Sequence, residues 1–333
     1  MASSKTAVYA AIAGNTLVML AKFGAFAVTG SGAMLSEGIH SVADVMNQGL
    51  LAVGIRTSER DADDAHPYGF GQARFAWALV SAVGIFFLGA GVTLYHGIDS
   101  LIHGSEVEGG AWALAGLGFA LLIEGATLII ATRAVRAQAR DAGMSLWRYT
   151  REGPDPMGVA VLLEDGAAVL GVLIAATAVG LTMVTGSPVW DAIGSIIIGL
   201  LLGAIAVFLI RKNMDYLLGR AVSPELQQKM LDVLGQQPSV EAIHDVKATV
   251  IGTDHIRFKA EIEFDGEELA RRWLAEHDVA ALHRRLDDPD DLRAFLIEYG
   301  EHIVEALGDE IDRIEDAIRS EVPDAEHVDL ENN

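Results

Sequence analysis

The chain has 333 residues, 51% of them apolar and 21% charged, with no cysteine and a formal net charge of −22 at pH 7. Residues 212–333 carry 30 acidic against 13 basic side chains, and residues 1–211 carry 16 against 11. Such a balance excludes a uniformly soluble enzyme and a disordered acidic chain. It also excludes nucleic acid as a partner, because phosphates are met by clustered Lys and Arg. Cations are the expected partners, and without thiolates any metal is held by His, Asp, Glu or carbonyl oxygen.

Six apolar stretches, near 6–28, 32–55, 74–98, 110–133, 157–182 and 189–211, are long enough to cross a hydrocarbon core about 30 Å thick, which takes about 20 residues. The first begins too late and runs too long for a cleaved signal, so it is expected to stay in the mature protein. Arg56, Arg60 and Arg74 lie between the second and third stretches, and Arg133, Arg136, Arg140, Arg148 and Arg151 between the fourth and fifth. Arg211 and Lys212 follow the sixth, whereas the connections around 29–31, 99–109 and 183–188 hold no Lys or Arg. The positive-inside rule then places both termini on the cytoplasmic side of the bilayer, or its organellar equivalent.

Past Arg220 the pattern changes. Ser223-Pro224-Glu225 reads as an N-cap with proline at the first helical position, and Leu226, Met230 and Leu234 give that helix an apolar face. Phe258, Ala260, Ile262 and Phe264 alternate with Lys259, Glu261 and Glu263, which predicts a strand with one buried face. A run from Ile243 to Ile251 pairs with it across Gly252-Thr253-Asp254, and a short third strand near His327 to Leu330 follows Pro323. The order is α-β-β-α-β. Residues 267–286 and 290–320 form charged amphipathic segments beyond what that plan needs, with Leu307, Ile311, Ile314 and Ile318 on one stripe that packs on the sheet or on another subunit. The expected organisation is a six-helix transmembrane domain over 1–212 and an acidic cytoplasmic domain over 213–333, with a helical insertion at about 267–320.

Ionisable residues inside apolar spans are costly and mark function. In the second span Glu37, His40 and Asp44 fall three and four residues apart, on one helical face. His40 and Asp44 can grip one divalent ion from adjacent turns, and zinc suits a nitrogen and carboxylate set. The fifth span brings Glu164 and Asp165, which lie about 100° apart on a helix, so one is the ligand and the other its neighbour or a cavity residue. Asn15 and Lys22 in the first span, Glu124 in the fourth and Asp191 at the head of the sixth are the other polar groups, and Lys22 neutralises a carboxylate such as Glu124 or Asp191. The loop from Asp61 to Gln72 gathers three acids with His66 before a turn-rich stretch, a pattern that by itself reads as a solvated loop. Its glycines do not open a phosphate-cradling motif.

Taken together, six spans, His40-x-x-x-Asp44, the His66-Pro67-Tyr68-Gly69 loop, acids in the fifth span and an α-β-β-α-β tail resemble the cation diffusion facilitator family over nearly the whole chain. Leu162-Leu163-Glu164-Asp165 followed by Ala167-Ala168-Val169-Leu170-Gly171, with Leu217-Leu218-Gly219-Arg220 and Ala242-Ile243-His244-Asp245-Val246, is most similar to its zinc transporter nine branch, whose animal members are mitochondrial zinc exporters. The resemblance implies a polytopic α-helical membrane protein with a ferredoxin-like α+β domain at its C-terminal end, and a homodimer that exports Zn²⁺ in exchange for protons by alternating access. It implies transport without catalytic residues or an organic cofactor, in the plasma (inner) membrane of a prokaryote or the mitochondrial inner membrane of a eukaryote.

Within that resemblance His40 and Asp44 match the transport-site ligands of the second span, and Asp165 the aspartate of the fifth. Four residues before Asp165, where the family carries histidine, stands Val161, and Glu164 is placed to supply the missing ligand. A second family site in the loop takes Asp63 and His66, with Phe70 where its second histidine falls. Of the soluble-domain ligands His244 matches, with Glu261 at a position where histidine is common. Transport of manganese, iron or cobalt, an intramembrane metal-dependent enzyme and a channel are the alternatives.

Overall fold

The computed structural model describes residues 4–29, 32–103, 110–253 and 255–333; of these, the side chains of 22, 25, 26, 28, 29, 32–40 and 110–113 are outside the description. The expected turn residue Asp254 lies outside it altogether. The chain divides into two compact units, Met1–Leu218 and Gly219–Asn333.

Among the described residues the elements of the first unit are helices. It comprises α1 (Ser4–Thr29), α2 (Gly32–Ser58), α3 (Ala73–Gly84), a π-helical stretch (Ile85–Gly91), α4 (Val92–His103), α5 (Gly110–Asp141), α6 (Leu146–Glu152), α7 (Pro156–Thr185) and α8 (Val189–Leu217). Among the described residues, four helical runs are long and apolar enough to cross a membrane: Ala73–His103, Leu114–Asp141, Pro156–Thr185 and Val189–Leu217.

Several helices outrun the apolar stretches that predict them. Helix α5 continues past Arg133 to Asp141 with Ala134, Val135 and Ala139 buried, because its basic residues lie on the opposite side of an amphipathic last third. Helix α8 continues past Arg211 because its polar residues there are satisfied internally. Lys212, 4% exposed, donates to the Thr150 carbonyl at 2.7 Å, and the Tyr216 hydroxyl donates to the Glu152 carbonyl at 2.5 Å. The Tyr216 ring stacks on Phe75 at 4.7 Å. These bonds also hold the short α6, which begins where the Ser145 hydroxyl accepts from the Arg148 amide.

Helix α7 has neighbours on most sides, packing against α1, α3, α5 and α8 and touching α2. Its first turns, Pro156 to Val161, are wholly buried, and Asp155 caps it by accepting from the Met157 amide. Helix α4 meets α8 through two glycines: a Cβ on Gly97 would lie 3.0 Å from the Ile196 amide nitrogen, and one on Gly199 3.0 Å from that of Leu94. The backbones approach there as closely as glycine permits.

The second unit runs α9 (Pro224–Gly235), β1 (Val240–Val250), β2 (Ile256–Phe264), α10 (Gly266–Glu276), α11 (Val279–Arg284), α12 (Pro289–Glu321) and β3 (His327–Asn332). The sheet order is β1-β2-β3, antiparallel between β1 and β2 and parallel between β2 and β3. Alternation in β2 works as its pattern predicts: Phe258, Ala260 and Ile262 are fully buried, as are Met230 and Leu234 of α9 and Ile314 and Ile318 of α12. Strand β1 begins at Val240, before the predicted Ile243, and its register shifts between His244 and Lys247, where Asp245 takes φ 39°. The bulge breaks the period that would mark the strand's start.

Candidate metal centre

The α2 stripe is where the lipid-facing pattern of the first unit is interrupted by charge. His40 and Glu37 lie on the described backbone of α2, but their side chains are outside the description. Asp44, one turn beyond His40, is half-buried. The next turn carries two amides that sequence patterns did not single out, Asn47 and Gln48, 8% and 0% exposed.

Across from them stands α7. Glu164 is half-buried, and both of its oxygens face α2: the Asn47 amide donates to Oε1 at 2.8 Å and the Gln48 amide to Oε2 at 2.6 Å. Asp44 and Asp165 are its charged neighbours. Asp165 looks elsewhere. It is 4% exposed, its side-chain neighbour is Thr127 of α5, and its Oδ2 is buried without a hydrogen-bond partner among the described residues. Val161, one turn before both, is fully buried.

The fifth-span pair is therefore split: Glu164 faces the helix that carries Asp44, and Asp165 faces α5. Among the described residues no three His, Asp or Glu side chains are gathered as a metal-holding group. Glu164 beside Asp44 nonetheless gives the α2–α7 face carboxylate oxygen donors that suit a divalent cation. Asn47 and Gln48 carry the one sequence signal that was available, spacings of three and four from Asp44 within an apolar span. Ser81 on α3, which donates to Asn47 at 2.7 Å, had none.

In the loop, Asp63 and His66 do come together. One Asp63 oxygen accepts from the backbone amides of Ala65 and His66 at 3.1 and 2.8 Å and lies 3.1 Å from the His66 Nδ1. The His66 bond is the main cause that holds the Asp63 carboxyl below its usual range. Phe70, where the resemblance wants a histidine, lies tilted against His66 with ring centroids 4.3 Å apart and has the Arg60 guanidinium over its ring at 4.2 Å. The loop is thus an exposed turn closed by its own side chains. In the second unit His244 and Glu261 are cross-strand register partners, while the His244 imidazole lies 3.5 Å from Glu263. His255 bonds Glu326. The partner expected for Lys22 falls on a side chain outside the description.

Residues 8–218 match the family model described as the cation efflux transmembrane domain. The human mitochondrial proton-coupled zinc antiporter SLC30A9 is 46% identical over 327 residues, which cover 97% of this chain and 58% of the human protein. The chain thus spans under two thirds of that relative's length. Metal tolerance protein C4 of Arabidopsis thaliana is 42% identical over 98% of this chain and 73% of its own length. An uncharacterized transporter of Methanocaldococcus jannaschii is 24% identical over 86% of this chain. A family model over more than half of the chain, and the Arabidopsis relative at that identity and coverage, place this protein in the cation efflux family.

Proposed function

We propose that this protein is a membrane transporter that exports Zn²⁺ in exchange for protons, and not an enzyme. The observation that carries the reading is Glu164, a carboxylate inside an apolar bundle turned toward the α2 face that holds Asp44. The name of the human relative, a proton-coupled zinc antiporter, supports the choice of cargo and counter-ion.

In this reading His40, Asp44 and Glu164 hold the cation, Glu164 supplying the donor absent at Val161, and Asp165 completes the set or lies behind it. Metal binding requires deprotonated ligands. Imidazole titrates near about pH 6.5 and carboxylates near about 4 in water, so the same side chains that release the ion take up protons. Alternating exposure of such a site to the two sides couples the flows. Helices α1 and α2 join the four apolar runs as six spans, with both termini on the cytoplasmic side, as the one-sided Arg and Lys pattern supports. The second unit is the cytoplasmic, ferredoxin-like part. In a eukaryote the location is the mitochondrial inner membrane, in a prokaryote the plasma membrane.

A homodimer belongs to the same proposal. Leu292, Leu296, Ile297 and Val304 on the first half of α12 are 46–71% exposed in an otherwise acidic unit. Apolar attraction is what two like-charged units need, since their repulsion reaches about 8 Å at physiological salt. Asp63 with His66 is proposed only as an accessory metal site.

Zinc uptake into proteoliposomes tests the ligand set. His40→Ala, Asp44→Ala and Glu164→Ala are expected to abolish flux in protein that still elutes as one folded species, because two or fewer protein ligands hold a divalent ion poorly. Asp165→Ala is expected to cut flux severely. Wild-type flux in both Asp44→Ala and Glu164→Ala contradicts the assignment.

A further inference from the structure

Both oxygens of Glu164 are held, and they are held by groups outside the ligand set. An ionised carboxylate only accepts hydrogen bonds, so Asn47 and Gln48 must present their NH₂ groups to it and turn their carbonyls away. For Asn47 that carbonyl is engaged: the Ser81 hydroxyl of α3 donates to Oδ1 at 2.7 Å, with both residues buried. Turning the Asn47 amide over would set its carbonyl against the carboxylate and lose the bond to Glu164. Gln48 is 0% exposed and makes its 2.6 Å bond to Glu164 while its own Oε1 has no partner among the described residues.

Helix contacts in a bilayer are made well by small apolar side chains, and a buried carbonyl without a donor costs about 1–3 kcal/mol. Packing therefore gives no reason for three buried polar groups on α2 and α3 at this point. Their common feature is Glu164, which one of them reaches through another.

We propose that Asn47, Gln48 and Ser81 are positioning residues of the transport site, an amide cradle spanning α2 and α3 that fixes the Glu164 carboxylate in the orientation from which it meets the cargo beside Asp44. The inference rests on Glu164 being a cargo ligand, as proposed above. Loss of hydrogen bonds behind a metal ligand typically costs 10–100-fold in metal affinity. The cradle thus acts on affinity, and it acts through Glu164.

The test is a double-mutant cycle on zinc affinity, measured by competition with a chromogenic chelator on the purified full chain. Binding that persists in Asp44→Ala is subtracted as belonging elsewhere. Asn47→Leu and Gln48→Leu, which keep side-chain bulk but lack donors, are expected to weaken zinc binding about 10–100-fold. Ser81→Ala weakens it less, and Ser81→Thr restores it. In a Glu164→Ala background, Asn47→Leu is expected to cause no further loss. If Asn47→Leu adds its full effect to that of Glu164→Ala, the cradle is overturned while Glu164 keeps its role. If Glu164→Ala leaves affinity unchanged, the ligand reading falls and the cradle with it. Should Asn47→Leu fail to fold, Ser81→Ala and Ser81→Thr in the two backgrounds complete the same cycle.

Discussion

At the residue scale, two carboxylates show how much surroundings decide. Glu164 and Asp165 are adjacent, and helical geometry turns them about 100° apart. That much is readable from sequence, together with the fact that both cannot serve one point. Which of them faces α2 depends on how α7 is rotated in its packing, and a nearly all-apolar helix carries no stripe from which to read it. Glu310 makes the same point in the second unit. Within a charged amphipathic helix it reads as one more surface acid, yet its side chain is 6% exposed, bonded to Arg313 at 2.8 Å, to Arg272 at 3.1 Å and to the Ser239 hydroxyl. The Arg313 bonds, with Ser239 and Arg272, bring its carboxyl down from 4.5 to about 2.

A lowered carboxyl stabilises the fold above its unfolded value and loses that contribution as pH falls through the folded value. For Glu310 the window runs from 4.5 down to about 2. The shift corresponds to at most about 3 kcal/mol, less in practice because Arg272 and Arg313 remain 39% and 50% exposed. Glu310→Gln is expected to lower the stability of the second unit by roughly 2 kcal/mol at pH 7 and to flatten its loss between pH 4.5 and 3. Urea unfolding of the full chain at several pH values reads both effects. An unchanged midpoint at pH 7 would remove Glu310 from the account.

At the element scale, apolar run length locates the helices of the first unit but not their ends, because α5 and α8 continue on buried residues after the charges begin. The short α6 rests on a Ser145 cap and on bonds from distant Lys212 and Tyr216, so no local period announces it. The π-helical stretch Ile85–Gly91 likewise depends on how α3 and α4 lie along α8. The stripe on α12 was open to two uses: its C-terminal half, Ile314 and Ile318, packs in the core of its own unit. Close packing of α4 on α8 yields a sharper expectation. A Cβ at Gly97 meets backbone atoms, the Ile196 nitrogen at 3.0 Å and the Ala192 oxygen at 3.1 Å, so the helices must separate to admit one. Gly97→Val is expected to cost about 1–3 kcal/mol, seen as a lower melting temperature in detergent. Gly118→Ala, with nothing within 4 Å of the added carbon, is expected to be neutral or to gain up to about 1 kcal/mol of helix propensity. Equal melting temperatures for the two variants would refute the close approach.

At the scale of the whole molecule, the contrast between an apolar and an acidic half is visible in composition, and the chain divides into two compact units between Leu218 and Gly219. The central place of α7 was not visible, because uniform hydrophobicity does not say which helix has neighbours on most sides. That place matters for function: a carboxylate on α7 is shielded from lipid and lies within reach of α2, and the charge it carries needs a cation, protons or amides to balance it. Proton-driven zinc movement is the consequence to measure. The purified protein in sealed vesicles, acidic inside and carrying a zinc dye and a pH dye, is expected to accumulate Zn²⁺ against its gradient while the interior turns alkaline. A protonophore should abolish the uphill part. Zinc that merely equilibrates, at the same rate with and without the pH gradient, would contradict the account.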